Sequence, residues 1–246
     1  MTNTSKQPLL VTSKTYKHNT TTYVRLLIKT SLFQKGDDFP KKIASEVAKA
    51  SAHIKNIKKM WYLVVSEKIV AISQGRSYFI KDIKAGWWAV TLSRFVSKTP
   101  FGIGLGSQWT MQLAINEVGL PRILFAALVS VLTKPLGIRG LFYHIVGREI
   151  AAIDGPTEYS LYPSNVSAKL APKNPQKAAA DISKEIKKLK IHTQFGGTVI
   201  ADANDLGVNI LGNDTDKPDL FFVSGMKDNP MGQGREQTPL AIFYAA

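Results

Sequence analysis

The feature that most restricts what this chain can fold into is the run Met60–Val65, MWYLVV, six residues without a charge among them. A strand with one wet face alternates apolar and polar residues. An unbroken run of this length is the pattern of a strand buried on both faces. Ser66 follows where it can cap a helix, and Ile69, Val70 and Ile72 supply that helix's apolar residues. Gly75 can then end it in a left-handed turn.

The rest of the chain can be arranged around this unit. Tyr23–Thr30 (YVRLLIKT) reads as an earlier strand. The turn Lys35–Asp38 (KGDD) follows it, and Pro40 sits where the first turn of a helix tolerates proline. Ile43, Ala44, Val47 and Ala48 would line that helix's inner face. Gln108–Glu117 reads as a helix, as does the segment from Pro175, with Asn174 as its cap and Ala178, Ile182 and Ile186 as its stripe. Gly196–Gly207 (GGTVIADANDLG) reads as a strand ending in an acidic loop. Leu220–Val223 and Leu240–Tyr244 read as two further strands, with the glycine-rich turn MGQGREQ between them. Strands and helices mix without regular βαβ alternation, so the expected class is α+β, mixed sheets with flanking helices. Residues 1–20 are polar, lack the apolar core of a signal peptide and read as a flexible tail, leaving 21–246 as a single domain.

The chain has no cysteine, which removes disulfides, thiolate metal sites and cysteine nucleophiles, and suits a reducing, cytoplasmic setting. Its 32 Lys and Arg against 18 Asp and Glu give a formal charge of +14, a surface that attracts anions. There is no recognition-helix pattern, aromatic RNA-binding motif or zinc-finger spacing, so no specific nucleic acid is expected. The patch Lys184, Lys187, Lys188 and Lys190 reads as a solvated helix face. The most apolar stretch is Ile123–Leu132 (ILFAALVSVL), between Arg122 and Lys134. As a helix it rises roughly 15 Å, about half a hydrocarbon core. It reads as a buried core helix, with an interfacial membrane-contacting helix as the alternative.

Few residues carry a chemical signal. Phe101–Ser107 (FGIGLGS) precedes a helix but matches neither the P-loop nor the dinucleotide fingerprint. A connector is its first reading and a phosphate contact its second. The four histidines, His18, His53, His144 and His192, have no metal-ligand spacing, and no serine sits in a nucleophile elbow. Asp154 and Asp202 each directly follow an apolar run. Two such carboxylates, if they converge, would repel unless a cation lay between them, and oxygen ligands suit Mg²⁺ or Mn²⁺. Turn capping is the competing role for each.

At these residues the chain resembles the coenzyme F420-0:γ-glutamyl ligase family, from about Ile28 to Ala246. IKTSLFQKGDDF is similar to that family's first strand and the loop before its Gly-Asp-Asp turn, and WYLVVSEKIVAISQGR to its apolar strand, Ser-rich turn and helix. AAIDGPTEY, LAPKNPQKAA, TVIADANDLGVNILG and KDNPMGQGREQTPLAI resemble later family segments in the same order. The resemblance implies a GTP- (or ATP-) and metal-dependent ligase that joins glutamate to a phosphorylated, anionic small molecule. It also implies a homodimer. Carried over by position, Asp154 and Asp202 would be metal ligands for Mg²⁺ or Mn²⁺. Ser31, Leu32, Phe33 and Gln34, with Ser66, Glu67 and Lys68, would line the nucleotide. The chain departs from the family at Ile150-Ala151-Ala152, where the family has Asn-Ala-Gly, at Ala203 in place of a hydroxyl residue, and through Trp87–Gly147. The readings left open are a non-catalytic anion- or nucleotide-binding paralogue and a basic membrane-peripheral protein.

Overall fold

Residues Trp61–Ser66 form a strand flanked by other strands on both edges and covered on both faces. The computed structural model describes residues 11–18, 20–55, 57–96, 104–138, 140–156, 162–189, 194–204, 207–232 and 236–246. Its strands are β1 (Val11–His18), β2 (Thr21–Ile28), β3 (Trp61–Ser66), β4 (Ser77–Phe79), β5 (Ser167–Lys169), β6 (Phe195–Asn204), β7 (Gly207–Asn213) and β8 (Leu240–Ala245). Its helices are α1 (Phe39–Lys49), α2 (Ser51–Ile54), α3 (Glu67–Ser73), α4 (Trp87–Ser93), α5 (Gln108–Val118), α6 (Leu120–Thr133), α7 (Leu141–Val146), α8 (Arg148–Ala151), α9 (Pro175–Lys188) and α10 (Asp219–Met226). The class is α+β. The chain divides into two units, Met1–Ser73 with Lys173–Ala246, and Gln74–Pro172.

The first unit holds a six-stranded mixed sheet in the order β1-β2-β8-β3-β6-β7. β3 is parallel to β6 and antiparallel to β8, which is also antiparallel to β2. β2, β3 and β6 therefore run in one direction. Strand alternation sends Leu26, Ile28, Leu63, Val65, Ile200, Leu240 and Ile242 to one face, where α1, α3 and α9 contribute Ile43, Val47, Val70 and Ile182. Leu27, Tyr62, Val64, Val199, Ala241 and Phe243 go to the other, against Phe222 and Met226 of α10. A Cβ at Gly212 of β7 would lie 2.3 Å from the carbonyl oxygen of Pro175, so the start of α9 approaches the strand as closely as only glycine permits. Arg25 of β2 is fully buried. It donates to the carbonyls of Gly225 (2.9 Å) and Thr15 (3.0 Å) and pairs with Asp228, tying α10 and β1 to the sheet.

The second unit is mostly helical. β4 and β5 pair antiparallel, and Asp154 extends that pairing by an isolated bridge to Lys169. Its core gathers Ala89, Leu105, Met111, Leu113, Ile123, Val146, Ile150 and Leu170. Ser107 caps α5 by accepting a hydrogen bond from the Thr110 amide at 3.1 Å. Gly119, at φ 83°, separates α5 from α6, and the pair is bent by 113°.

Four local readings change. Residues 11–18, assigned to a tail, form β1, paired along its whole length with β2. Leu220–Val223, read as a strand, lies in helix α10. Four apolar residues in a row fit either period, and Pro218 followed by Asp219 in the first turn sets a helix start. Asn174 does occupy the cap position of α9, but its side chain makes no capping hydrogen bond. Helix α6, read first as a core helix, buries only Ile123 and Ala126. Phe101–Ile103 of the glycine-rich stretch, Lys190, His192, Asp205, Leu206 and Gln233–Arg235 fall outside the described residues.

Candidate functional site

Ile28, Leu240, Val65 and Ile200 are register partners in turn, so they form one row across β2, β8, β3 and β6. Beyond that row lie the carboxyl ends of the three strands that run the same way. The segment Ser31–Gln34 follows β2. Ser66 ends β3, and Glu67 and Lys68 open α3. Asp202 sits two residues past Ile200 on β6, opposite Asn209 of β7. Three of the four groups picked out from the sequence thus meet at one edge of one sheet. In open α/β sheets, ligands bind in the crevice outside the carboxyl ends of the strands.

The loop after β2 is held from several sides. The Thr30 amide donates to the Gln237 carbonyl at 3.0 Å, and the Gly36 amide to the Ser73 carbonyl, at the end of α3, at 2.9 Å. The Ser31 hydroxyl donates to Glu46 Oε1 at 2.9 Å, and the same oxygen receives Lys49 Nζ at 2.8 Å. Leu32 is exposed, and its carbonyl accepts Lys42 Nζ at 2.8 Å. Phe33 is buried in the core, with the Lys42 ammonium 4.8 Å from its ring centre. The Gln34 amide donates to Asp37 Oδ2 at 2.8 Å. Lys42 Nζ, 2.6 Å from that oxygen, together with the Gln34 amide holds the Asp37 carboxyl below its ordinary range. The loop is therefore tied down by Asp37, which lies in the KGDD turn, and by Lys42 and Glu46, which the sequence reading left out.

Around α3, Glu67 is buried while Ser66 and Lys68 are half-buried. The Ser66 amide donates to the Pro239 carbonyl at 2.8 Å. Asp202 is half-buried, and its Oδ1 accepts from Asn204 Nδ2 at 3.4 Å. By strand alternation its side chain leaves the sheet on the face of Ile200 and Val65, the face that α1, α3 and the loop after β2 cover.

Asp154 belongs to the second unit. Its backbone exchanges hydrogen bonds with Lys169 at 3.0 and 2.8 Å, and its Oδ2 lies 3.5 Å from Lys169 Nζ. Lys169 is buried, with 1% of its side chain exposed against 34% for Asp154. The sequence reading missed Lys169, although a lone cation inside the apolar run Ala168–Ala171 was a usable signal. It also missed Arg76, buried in the same unit, which donates to the Ala171 carbonyl and pairs with Glu117 at 2.9 Å.

The family model described as F420-0:Gamma-glutamyl ligase matches residues 27–205, a span that runs from β2 to the end of β6 and contains both aspartates and both loop segments. The chain belongs to the F420-0:gamma-glutamyl ligase family. No curated protein sequence matches it. Its function is accordingly γ-glutamyl-ligase-like, and membership fits the α+β class seen in the fold. A divalent metal in this family member has a sparse donor set to draw on. Among the described residues no three His, Asp or Glu gather into a metal-binding group. Mg²⁺ is commonly held by one or two carboxylates, with water and substrate phosphate completing its shell. Asp202, half-buried with its carboxylate hydrogen-bonded by an amide, fits that pattern. Asp154 fits it less well, because a buried ammonium already faces its carboxylate.

Proposed function

We propose that this protein is a metal- and nucleotide-dependent, γ-glutamyl-ligase-like acid–amino-acid ligase that joins glutamate, through its amine, to a carboxylate of a phosphorylated small molecule. In the proposed reaction a carboxylate takes the terminal phosphoryl group of GTP or ATP to become an acyl phosphate. The amine of glutamate then attacks the acyl carbon and phosphate leaves. A divalent cation, Mg²⁺ or Mn²⁺, would neutralise charge on the transferred phosphoryl group when bound. Asp202 of the first unit is the residue proposed to hold it. Ser31–Gln34 and Ser66–Lys68 are proposed to line the nucleotide.

The observation that carries this reading is the row Ile28–Leu240–Val65–Ile200, which brings the loop after β2, the start of α3 and Asp202 to one sheet edge within the first unit. Titration of Mn²⁺ in the presence of GTP tests it. The Asp202→Asn variant is expected to bind Mn²⁺·GTP at least about tenfold more weakly than the unmodified protein. Equal affinity in the two would remove Asp202 from the metal site. A second reading, a nucleotide-binding paralogue without turnover, draws support from Lys169, which already supplies Asp154 with a cation. GTP binding without phosphate release in a screen of amino-acid acceptors would favour it.

A further inference from the structure

The helix that fails to bury itself is the part of the molecule that the ligase reading does not use. Phe125, Leu128, Val131 and Leu132 of α6 are 58–69% exposed, and Leu136, just beyond the helix, is 74% exposed. Steps of three and four residues place them on one stripe, opposite the buried pair Ile123 and Ala126. A soluble helix normally turns its polar side outward. Here both sides are apolar, because the sequence from Ile123 to Thr133 carries no charge. An apolar stripe of this extent is uncommon on a protein surface without something to cover it.

The charges around the stripe decide what covers it. Exposed Arg122 and Lys134 stand at its two ends. From Val118 to Arg148 the sequence holds Arg122, Lys134, Arg139 and Arg148 and not one Asp or Glu. Across 74–172 there are ten Lys and Arg against five Asp and Glu. Two copies docked stripe to stripe would bring Arg122 and Lys134 of each copy together at both ends, whether parallel or antiparallel. An anionic lipid surface satisfies both properties at once, with acyl chains against the stripe and phosphates against the cations. The helix geometry sets the mode of contact. α6 has 14 residues, a length of about 21 Å. No single described helix is long and apolar enough to cross a membrane; α5 and α6 reach that length only as a pair, and the pair is bent by 113°. Such a helix lies in the plane of the interface, its basic ends reaching the headgroups.

We infer that α6 is an interfacial helix by which this protein docks on anionic lipid bilayers. Co-sedimentation with vesicles tests this, using phosphatidylglycerol mixed with phosphatidylcholine against phosphatidylcholine alone. The full chain is expected to sediment with the anionic vesicles at low salt and to release partly as salt rises. A triple Phe125→Ser, Leu128→Ser, Leu132→Ser variant is expected to lose about tenfold or more of that affinity. Its thermal unfolding should not change, since the three side chains contribute little to the folded core. Lys134→Glu, which keeps the stripe, is expected to weaken binding to anionic vesicles alone. Absence of binding, or equal binding by the triple variant, overturns the inference. So does a dimer in sedimentation velocity that the triple variant dissolves, since a second copy would then be the occupant.

Discussion

In the six-stranded unit the large apolar side chains are inside: Trp61, Leu63, Phe222 and Phe243 each expose 1% or less. In the unit 74–172 many are outside, with Trp87 at 68%, Phe95 at 83% and Leu136 at 74%. The unit 74–172 is the richer in such residues, with 12 of the chain's 23 aromatic side chains. Geometry adds to that difference. A sheet with helices on one face and α10 on the other has two places for every apolar strand residue to go, and alternation fills both. Short helices around a two-stranded ribbon enclose one small core, and each helix has a far side that nothing in its own unit covers. Exposed apolar surface in this chain therefore marks where the unit's own elements ran out, and it is there that a further partner has to be sought.

The sharpest way to break this comparison is to remove a side chain from the two-faced core. Phe222→Ala is expected to lower the unfolding free energy by about 3–5 kcal/mol in a urea titration. Leu128→Ser should stay within about 0.5 kcal/mol. Near-equal effects would mean that the two surfaces are not distinguished by packing. A smaller effect, of about 1–3 kcal/mol, is expected for Asp154→Asn, which takes the anion away from the buried Lys169 ammonium. Adding Lys169→Met should recover part of the loss without any metal present. If the single variant is as stable as the parent, the pair has no structural role, and cation binding becomes the stronger account of Asp154. An effect confined to alkaline pH concerns Tyr62. Burial first, and Asp216 second, push its hydroxyl up to about 12. The unfolded chain releases that proton near pH 10. The stabilisation from keeping Tyr62 neutral is thus complete below about pH 10 and is lost as pH rises through about 12. Tyr62→Phe should flatten this part of the stability profile, and an unchanged slope between those values would place the titration elsewhere.

Sequence patterns carried the sheet unit well and the helical unit poorly. MWYLVV and the strand–Ser–helix–Gly unit could be read because a doubly buried strand leaves an unbroken apolar run and a glycine at positive φ leaves a Gly. Leu220–Val223 could not, since four apolar residues have no period of their own. Its helix is set by Pro218 and Asp219 outside the run. ILFAALVSVL was misassigned for a related reason. Apolarity reports what a segment avoids, water, and says nothing about which neighbour replaces it. At the candidate site, Ser66 was legible as a polar residue ending an apolar strand, whereas Asp202, read as a loop residue, lies inside β6 and pairs with Asn209. Glu46 and Lys169 were not legible, because a buried charge held by specific partners looks locally like an interruption of the pattern.

The place of β8 in the sheet has a consequence for biogenesis. It lies between β2 and β3, and it is the last described strand to be synthesised. During translation β2 and β3 emerge early with a gap between them that only Leu240–Ala245 can close. The contiguous segment 74–172 can collapse on the ribosome before the unit that brackets it in sequence is complete. Closure of the sheet is then a late, non-local step. It finishes the row that carries the candidate site, so nascent chains would not assemble that row until β8 is threaded home.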